Sequence, residues 1–196
     1  MNSTEQRKRR ADARRNVGAI LDAAIETLTE RPEASMEEIA RTAGVARQTV
    51  YAHFPSRDAL LRAVQERTLT EAVAAIDAAE IDAGPAAAAL ERLVGAGWQT
   101  LERYPVLMDL RTEMTAEEEL ALHRPILERL ERLVRRGQRR GEFNRAAPAN
   151  WLLTSFLALS HAAAEEVKAQ RLTAEEALVL LRQSVLGIFG ATPPTT

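Results

Sequence analysis

The feature that most constrains the fold of this chain is its long runs of strong helix-forming residues. Only 9 glycines and 8 prolines interrupt these runs in 196 residues. Alanine and leucine together supply nearly a third of the chain, and arginine and glutamate carry most of its charge. These side chains lose little conformational freedom in a helix. Because no alternating strand pattern or internal repeat accompanies them, the sequence predicts an all-α protein.

Cysteine is absent, which excludes disulfide frameworks, thiolate zinc sites and cysteine nucleophiles and favours a reducing compartment. The basic N-terminal stretch is not followed by the apolar run of a signal peptide, and no window approaches 18 consecutive apolar residues. The sequence therefore predicts a cytoplasmic protein that does not span a membrane.

The net charge of −2 conceals an uneven distribution. Residues 1–62 carry 11 Lys/Arg and 9 Asp/Glu, whereas residues 63–196 carry 15 and 19. Six of the basic residues lie within the first 15 positions. We expect residues 1–13 to form a basic flexible arm attracted to nucleic-acid phosphate, with a solvated tail as the alternative.

The apolar spacing and the turn signals predict a module of short helices near the N-terminus. Apolar residues recur every three or four positions in a first helix over about residues 14–30. Ser35 with Glu38 matches a capping box and begins a second helix, which stops at Gly44. A two-turn helix over residues 46–53 follows, and Ser56 caps a longer helix.

The break at residues 82–85 is the predicted hinge between two domains, spanning residues 14–82 and 85–191. The second domain contains longer helices, and residues 192–196 form a disordered tail. The predicted helices of the second domain cover residues 86–103, 106–114, 116–139, 148–170 and 173–189. The helix over residues 116–139 is expected to start or kink near Pro125.

Residues 37–51 fit a helix-turn-helix that binds DNA. Ala40 is small where the two helices cross, and Gly44 suits a turn with positive φ. Val50, together with Val45, anchors the second helix, whose other side chains include an arginine, a glutamine and a threonine. These three residue types match guanine, adenine and the thymine methyl group in the major groove.

The segment from Ser35 to Leu61 contains I-A-x-x-A-G-V, V-Y-A-H-F and P-S-R-D-A-L-L, and it resembles the DNA-binding region of TetR-family transcriptional regulators. The resemblance extends over roughly residues 20–61. It implies a three-helix, N-terminal helix-turn-helix domain followed by an all-helical domain that binds a ligand and dimerises.

The resemblance also implies which side chains contact DNA. Residues 47–49 would read base edges, and the remaining residues of the set would contact phosphates. The implied set is Ser35, Thr42, Arg47, Gln48, Thr49, Tyr51, His53 and Arg57.

The sequence departs from the family pattern at three of its positions. The family often has serine or threonine where Ala46 stands, so the second helix lacks its usual N-cap, at a cost of about 1 kcal/mol. It also often has glycine near Gln48 and lysine where Arg57 stands. We therefore expect unusual operator reading but preserved phosphate binding.

Several aromatic and polar side chains of the second domain are candidates for an apolar ligand cavity. The alternative is that they fill the core of a helical bundle. The candidate set is Trp98, Leu101, Tyr104, Met108, Met114, His123, Trp151 and Phe156.

The last two predicted helices are apolar and contain small residues that permit close approach. They suggest a four-helix seam across a twofold axis, and the alternative is that they cover only their own domain. The candidate interface residues are Leu152, Ser155, Leu159, Ala163, Leu181, Val185 and Ile188.

We interpret the chain as a homodimeric repressor that leaves a palindromic double-stranded operator when a small apolar or amphipathic effector binds. Activation of transcription stays open as an alternative. The rival classes are a helical enzyme and a helical interaction module. His161 with Glu165, and Glu119 with His123, lie one turn apart, but no Glu-x-x-His pair or phosphate loop occurs. We expect no catalytic residue, metal or cofactor.

Overall fold

The computed structural model describes residues 3–108 and 115–191, and over these ranges every regular element is helical. The all-α prediction is confirmed. A short 3-10 helix, Pro105–Met108, lies between the fifth and sixth α-helices. The α-helices are α1 (Ser3–Glu30), α2 (Met36–Thr42), α3 (Arg47–His53), α4 (Arg57–Ala78), α5 (Ala86–Arg103), α6 (Ala116–Arg140), α7 (Ala149–Lys168) and α8 (Ala174–Phe189).

A compact N-terminal unit comprises the chain up to Thr68 and the segment that begins at Tyr104. Its core is formed by the apolar stripe of α1, by single side chains of α2 and α3, and by the first turns of α4. Each fully buried Val, Leu or Ile side chain contributes roughly 1.5–3 kcal/mol to the free energy of unfolding. The least exposed members are Ile20, Ala24, Leu28, Ile39, Val50, Leu60, Val64 and Val106.

Helix α1 begins at Ser3, well before the expected start near residue 14. Most of the basic segment that we expected to be a flexible arm is therefore helical along its backbone. The reason lies in local composition, because no glycine or proline occurs before Gly18 and the intervening residues are mainly Arg, Lys, Glu, Gln and Ala.

A second compact unit contains residues 69–103 and the chain from residue 115 onward. Its core lies between α5, α6, α7 and α8, with one side chain from the end of α4. Large side chains in this core include Ile76, Leu90, Leu93, Trp98, Leu130, Leu133, Leu152, Phe156, Leu181, Val185 and Phe189.

The boundary between the two units falls inside α4, between Thr68 and Leu69, and not at the predicted hinge over residues 82–85. Early turns of α4 pack Leu60 and Val64 into the first core, whereas Ile76 belongs to the second. A sequence break marks the end of a helix. It does not mark where one hydrophobic core gives way to another.

Predicted helix ends in the second unit agree closely with the structure. Thr173 caps α8 in a capping box with Glu176, and Gly190 closes the helix with φ of 61°. Pro125 lies inside α6. The 3-10 helix covers the start of the helix expected over residues 106–114, and residues 109–114 and the expected tail over 192–196 lie outside the described residues. Over the described ranges, no helix combines the length and apolar character needed to cross a bilayer.

Candidate nucleic-acid interface

Helix α2 begins with the capping box that the sequence predicted. The Glu38 N–H donates to the Ser35 hydroxyl at 3.3 Å, and the Ser35 N–H donates back to the Glu38 carboxylate at 2.8 Å. This backbone hydrogen bond, followed by one from the Ser35 hydroxyl, holds the pKa of Glu38 below its ordinary value. Arg31 forms an ion pair with the same carboxylate. The Ser35 hydroxyl is thus part of a local network.

The turn between α2 and α3 depends on Gly44. Its φ is +67°, the left-handed region that favours glycine. The Gly44 N–H donates to the Arg41 carbonyl at 3.2 Å and the Val45 N–H donates to the Ala40 carbonyl at 3.0 Å. These two bonds form a Schellman motif, which reverses the chain after α2 and directs it into α3.

Helix α3 is held against the first core by two apolar side chains. Val50 is fully buried, and Phe54, the C-cap residue, is 7% exposed, so both side chains belong to the core of the first unit. The N-cap residue Ala46 makes no side-chain capping bond, as its departure from the family pattern indicated. The helix is therefore positioned by its buried side, which leaves the opposite side to solvent.

The solvent side of α3 carries the side chains expected to read DNA. Arg47 and Gln48 are exposed, Tyr51 is 39% exposed, and Thr49 and His53 are half-buried. The Arg47 guanidinium carbon lies 5.4 Å from the centroid of the Tyr51 ring. At this distance the ring attracts the guanidinium without using its N–H donors, which stay available for hydrogen bonds.

Arg47 has a second neighbour that the sequence did not reveal. Its Nη1 lies 3.6 Å from Oε2 of Glu37. Glu37 belongs to the first turn of α2, so the contact joins the two helices on either side of Gly44. Glu37 is not among the residues predicted from the sequence to contact DNA. No pattern of the sequence signals the pair, because the two residues are ten positions apart and meet only when the turn closes.

Two further predicted phosphate contacts also have partners within the protein. The Thr42 hydroxyl donates to the Glu38 carbonyl at 3.2 Å and accepts from the buried Thr27 hydroxyl at 3.2 Å. The Arg57 guanidinium donates to the carbonyls of Ala34 and Pro32 in the loop between α1 and α2. Arg57 thus fixes the approach to the cap of α2, a role that only the tertiary structure shows.

The residues predicted to line a ligand cavity do not share one environment. Trp98 and Phe156 lie in the core of the second unit, at 4% and 7% exposed, whereas Tyr104 is buried and belongs to the first unit. Leu101 and His123 are half-buried. The side chain of Met108 and the whole of Met114 lie outside the described residues.

Trp151 is 61% exposed at the start of α7. This corrects its expected place in the wall of an apolar cavity, because a ring that faces solvent does not line an interior. An open groove of the second unit is lined instead by small side chains of α4 and α5 with Arg92, Gln99 and Arg182.

Three of the predicted interface residues lie inside their own chain. Leu152 and Val185 have no exposed surface and Leu181 is 4% exposed. This corrects their expected position, because side chains that fill one chain's core have no surface to offer a second chain. Ser155, Leu159 and Ala163 are half-buried, and Ile188 is 37% exposed.

Two further apolar side chains of α8 are exposed beside the predicted set. Val179 and Leu180 on α8 are 47% and 48% exposed. Their positions follow from the helix register, because Ala177 and Leu181 occupy the buried stripe.

In the described part of the chain, no group of three or more histidine, aspartate or glutamate residues is arranged to hold a metal ion.

Comparison with known proteins supports the interpretation of this site. Residues 20–64 match the family model described as "Bacterial regulatory proteins, tetR family". Over 154 residues the chain is 36% identical to the HTH-type transcriptional repressor LfrR of Mycolicibacterium smegmatis. The aligned segment covers 76% of this chain and 78% of LfrR.

Solved structures agree with the sequence comparison. The TetR-like regulator LfrR from Mycobacterium smegmatis in complex with proflavine aligns with a TM-score of 0.67 at 30% identity, covering 92% of this chain and 99% of LfrR. The fatty acid degradation regulator FadR from Bacillus halodurans aligns with a TM-score of 0.74 at 21% identity. The alignment covers 87% of this chain and 97% of the FadR chain. The second match shows a shared fold.

Proposed function

The chain belongs to the TetR family of bacterial transcriptional regulators, and from this premise we propose that it is a repressor that binds its operator as a homodimer and is released by a small-molecule effector. The observation that carries the proposal is the solvent side of α3, where Arg47, Gln48 and Tyr51 are exposed on a helix anchored by buried Val50 and Phe54. LfrR, at 36% identity, is itself a repressor.

Base reading is assigned to the N-terminal half of α3. Arg47 matches the O6 and N7 acceptors of guanine, Gln48 matches adenine, and the methyl group of Thr49 suits the thymine methyl. All three act from one short helix, whose width fits the major groove. Each good bidentate pair contributes about 1–3 kcal/mol of discrimination against the wrong base.

Phosphate binding is assigned to residues around this helix. Tyr51 and His53 lie on α3, and Ser35 and Thr42 lie at the two ends of α2. Arg57 bonds two loop carbonyls, but a guanidinium has five N–H groups, so donors remain for a phosphate oxygen. These contacts set the register on DNA without reading its sequence.

The dimer is assigned to the exposed apolar surface of α7 and α8. Val179, Leu180 and Ile188 all lie on α8, and Trp151 adds a large ring at the start of α7. A contiguous apolar patch that a folded subunit exposes to solvent is typical of an association site. A twofold dimer also suits a palindromic operator, because two copies of α3 about 34 Å apart would meet successive major grooves.

The effector is assigned to the second unit, as a small apolar or amphipathic molecule. The complex of LfrR with proflavine supports a ligand site in this branch of the family. The effector acts by a population shift in the cytoplasm, where the regulator meets DNA. It weakens operator binding only to the extent that it prefers the conformation that binds DNA poorly.

Selection of duplexes from a random-sequence pool, followed by gel-shift titration at several salt concentrations, tests the DNA-binding part. We expect enrichment of a palindromic site, and an affinity that falls steeply with salt because Lys and Arg displace counterions from phosphates. Failure to bind any duplex at low salt would overturn the proposal.

Titration of the protein–operator complex with proflavine tests the effector part. We expect release of the protein, with an unrelated repressor–operator pair as the control for proflavine bound directly to DNA. If proflavine binds the free protein but leaves operator affinity unchanged relative to that control, release by this ligand is contradicted.

A further inference from the structure

The contact between Glu37 and Arg47 connects the two helices of the motif at its solvent surface. Arg47 Nη1 lies 3.6 Å from Glu37 Oε2, and the two side chains are 62% and 69% exposed. The Arg47 guanidinium also lies over the Tyr51 ring, with its carbon 5.4 Å from the ring centroid. Arg47 is therefore held by one neighbour on α2 and one on its own helix.

An arginine that must reach a base edge benefits from such restraints. Ordering a long side chain on binding costs roughly 0.5–1.5 kcal/mol, and part of this cost is removed when the side chain is already held. The exposed ion pair is weak enough to be exchanged for a base contact, since such pairs contribute about 0.2–1 kcal/mol.

The Glu37 carboxylate has a second effect through its charge. Sequence-independent binding depends almost entirely on attraction between basic side chains and phosphates. A carboxylate beside Arg47 weakens this attraction, because the guanidinium must give up its contact with Glu37 before it pairs with a phosphate and because the negative charge itself repels phosphates. Binding at the operator is affected less, because there Arg47 exchanges Glu37 for a guanine edge.

We propose that Glu37 is a positioning residue for Arg47 that raises discrimination between the operator and other DNA. This inference rests on the proposed function, since it requires Arg47 to read a base. It adds a residue of α2 to the determinants of specificity, acting through Arg47 without contacting a base itself.

The test compares Glu37→Gln with the wild-type protein on two duplexes, the one that the wild type selects from a random pool and a scrambled duplex of the same composition. We expect tighter binding to the scrambled duplex, a steeper salt dependence on it, and a loss of discrimination of about two- to fivefold. Thermal unfolding of the variant confirms that the protein remains folded.

Glu33→Gln is the matched control, because Glu33 is also exposed in the same region and its change removes the same charge. We expect discrimination to be unchanged in this variant. An equal loss in both variants would show a general charge effect and overturn the inference, as would unchanged discrimination in Glu37→Gln.

A double-mutant cycle with Arg47→Ala separates this inference from the proposed function. We expect Arg47→Ala to lose discrimination and Glu37→Gln to have no further effect in that background. If Arg47→Ala keeps full discrimination, the assignment of Arg47 as a base reader fails and the role of Glu37 fails with it. If Arg47→Ala loses discrimination but the cycle shows no coupling, only the role of Glu37 fails.

Discussion

The ring of Phe143 occupies the space beside Gly137, where an added Cβ would lie 2.2 Å from Cδ2 of the ring. Phe143 is 2% exposed and meets Phe189 edge to face, with ring centroids 5.3 Å apart. The Asn144 N–H, next along the chain, donates to the Phe189 carbonyl at 2.8 Å. The chain after α6 is thereby fixed onto α8, and Gly137 is the position that admits the ring.

Gly137→Ala is expected to destabilise the protein, although alanine is the better helix former. The gain in helix propensity is about 1 kcal/mol, but the clash with a buried ring costs roughly 1–3 kcal/mol or more. At 2.2 Å we expect the clash to dominate, with a net loss of about 2 kcal/mol in the free energy of unfolding. Urea denaturation measures it.

Gly97→Ala is the control for this substitution. Gly97 lies in α5, and an added Cβ there meets no atom within 4 Å. We expect this variant to gain about 0.5–1 kcal/mol. Equal effects of the two substitutions would contradict the packing argument.

Ala46→Ser is expected to stabilise α3. Ala46 has the extended backbone of an N-cap residue, with φ of −67° and ψ of 145°, but no side chain that can accept a hydrogen bond. A serine there supplies that acceptor and adds about 1 kcal/mol to the free energy of unfolding. Ala52→Ser, at an exposed position inside α3, offers no cap and should give no gain. Thermal unfolding distinguishes the two variants.

The ion pair between Asp77 and Arg129 predicts a loss of stability in acid. Arg129 Nε and Nη2 donate to the two carboxylate oxygens of Asp77 at 2.7 and 2.8 Å, and these bonds hold the pKa of Asp77 below its ordinary value of 3.8. The carboxylate is therefore ionised more readily in the folded than in the unfolded chain. Its contribution is fully present above pH 3.8 and is lost as the pH falls through the lower folded pKa.

A double-mutant cycle with Asp77→Asn and Arg129→Gln measures this contribution directly. We expect favourable coupling at neutral pH that declines steadily in acid, as followed by urea denaturation at each pH. Coupling that stays constant down to pH 3 would contradict the assignment.

Leu180→Glu is expected to weaken the proposed homodimer. Leu180 is 48% exposed, so its substitution leaves the core of the chain intact. Each subunit would lose an apolar contact and bury a charge, which should raise the dimer dissociation constant at least about tenfold. Sedimentation equilibrium measures this constant, with Ala121→Glu on an exposed position of α6 as the control. An unchanged dissociation constant would place the interface elsewhere.

Many helix ends were predictable because their signals are local. Ser35 with Glu38, Gly44, and Thr173 with Glu176 all act within a few residues and behave as the sequence indicates. The start of α1 and the unit boundary inside α4 were not predicted. The basic sequence of residues 3–13 has no apolar periodicity and so carries no amphipathic signal. One continuous helix can also contribute to two cores, as α4 does.

The sequence by itself determined the all-helical fold and the helix-turn-helix, because helix propensity, capping and apolar spacing are properties of short segments. The family was indicated by the resemblance of the motifs between Ser35 and Leu61. Only the tertiary structure decided the contacts of particular side chains. It directs Arg57 to two loop carbonyls, places Glu37 beside Arg47, and buries Leu152 while exposing Trp151. The physical reason is that apolar spacing shows that a face of a helix is buried, whereas the partner of that face depends on residues distant in the chain.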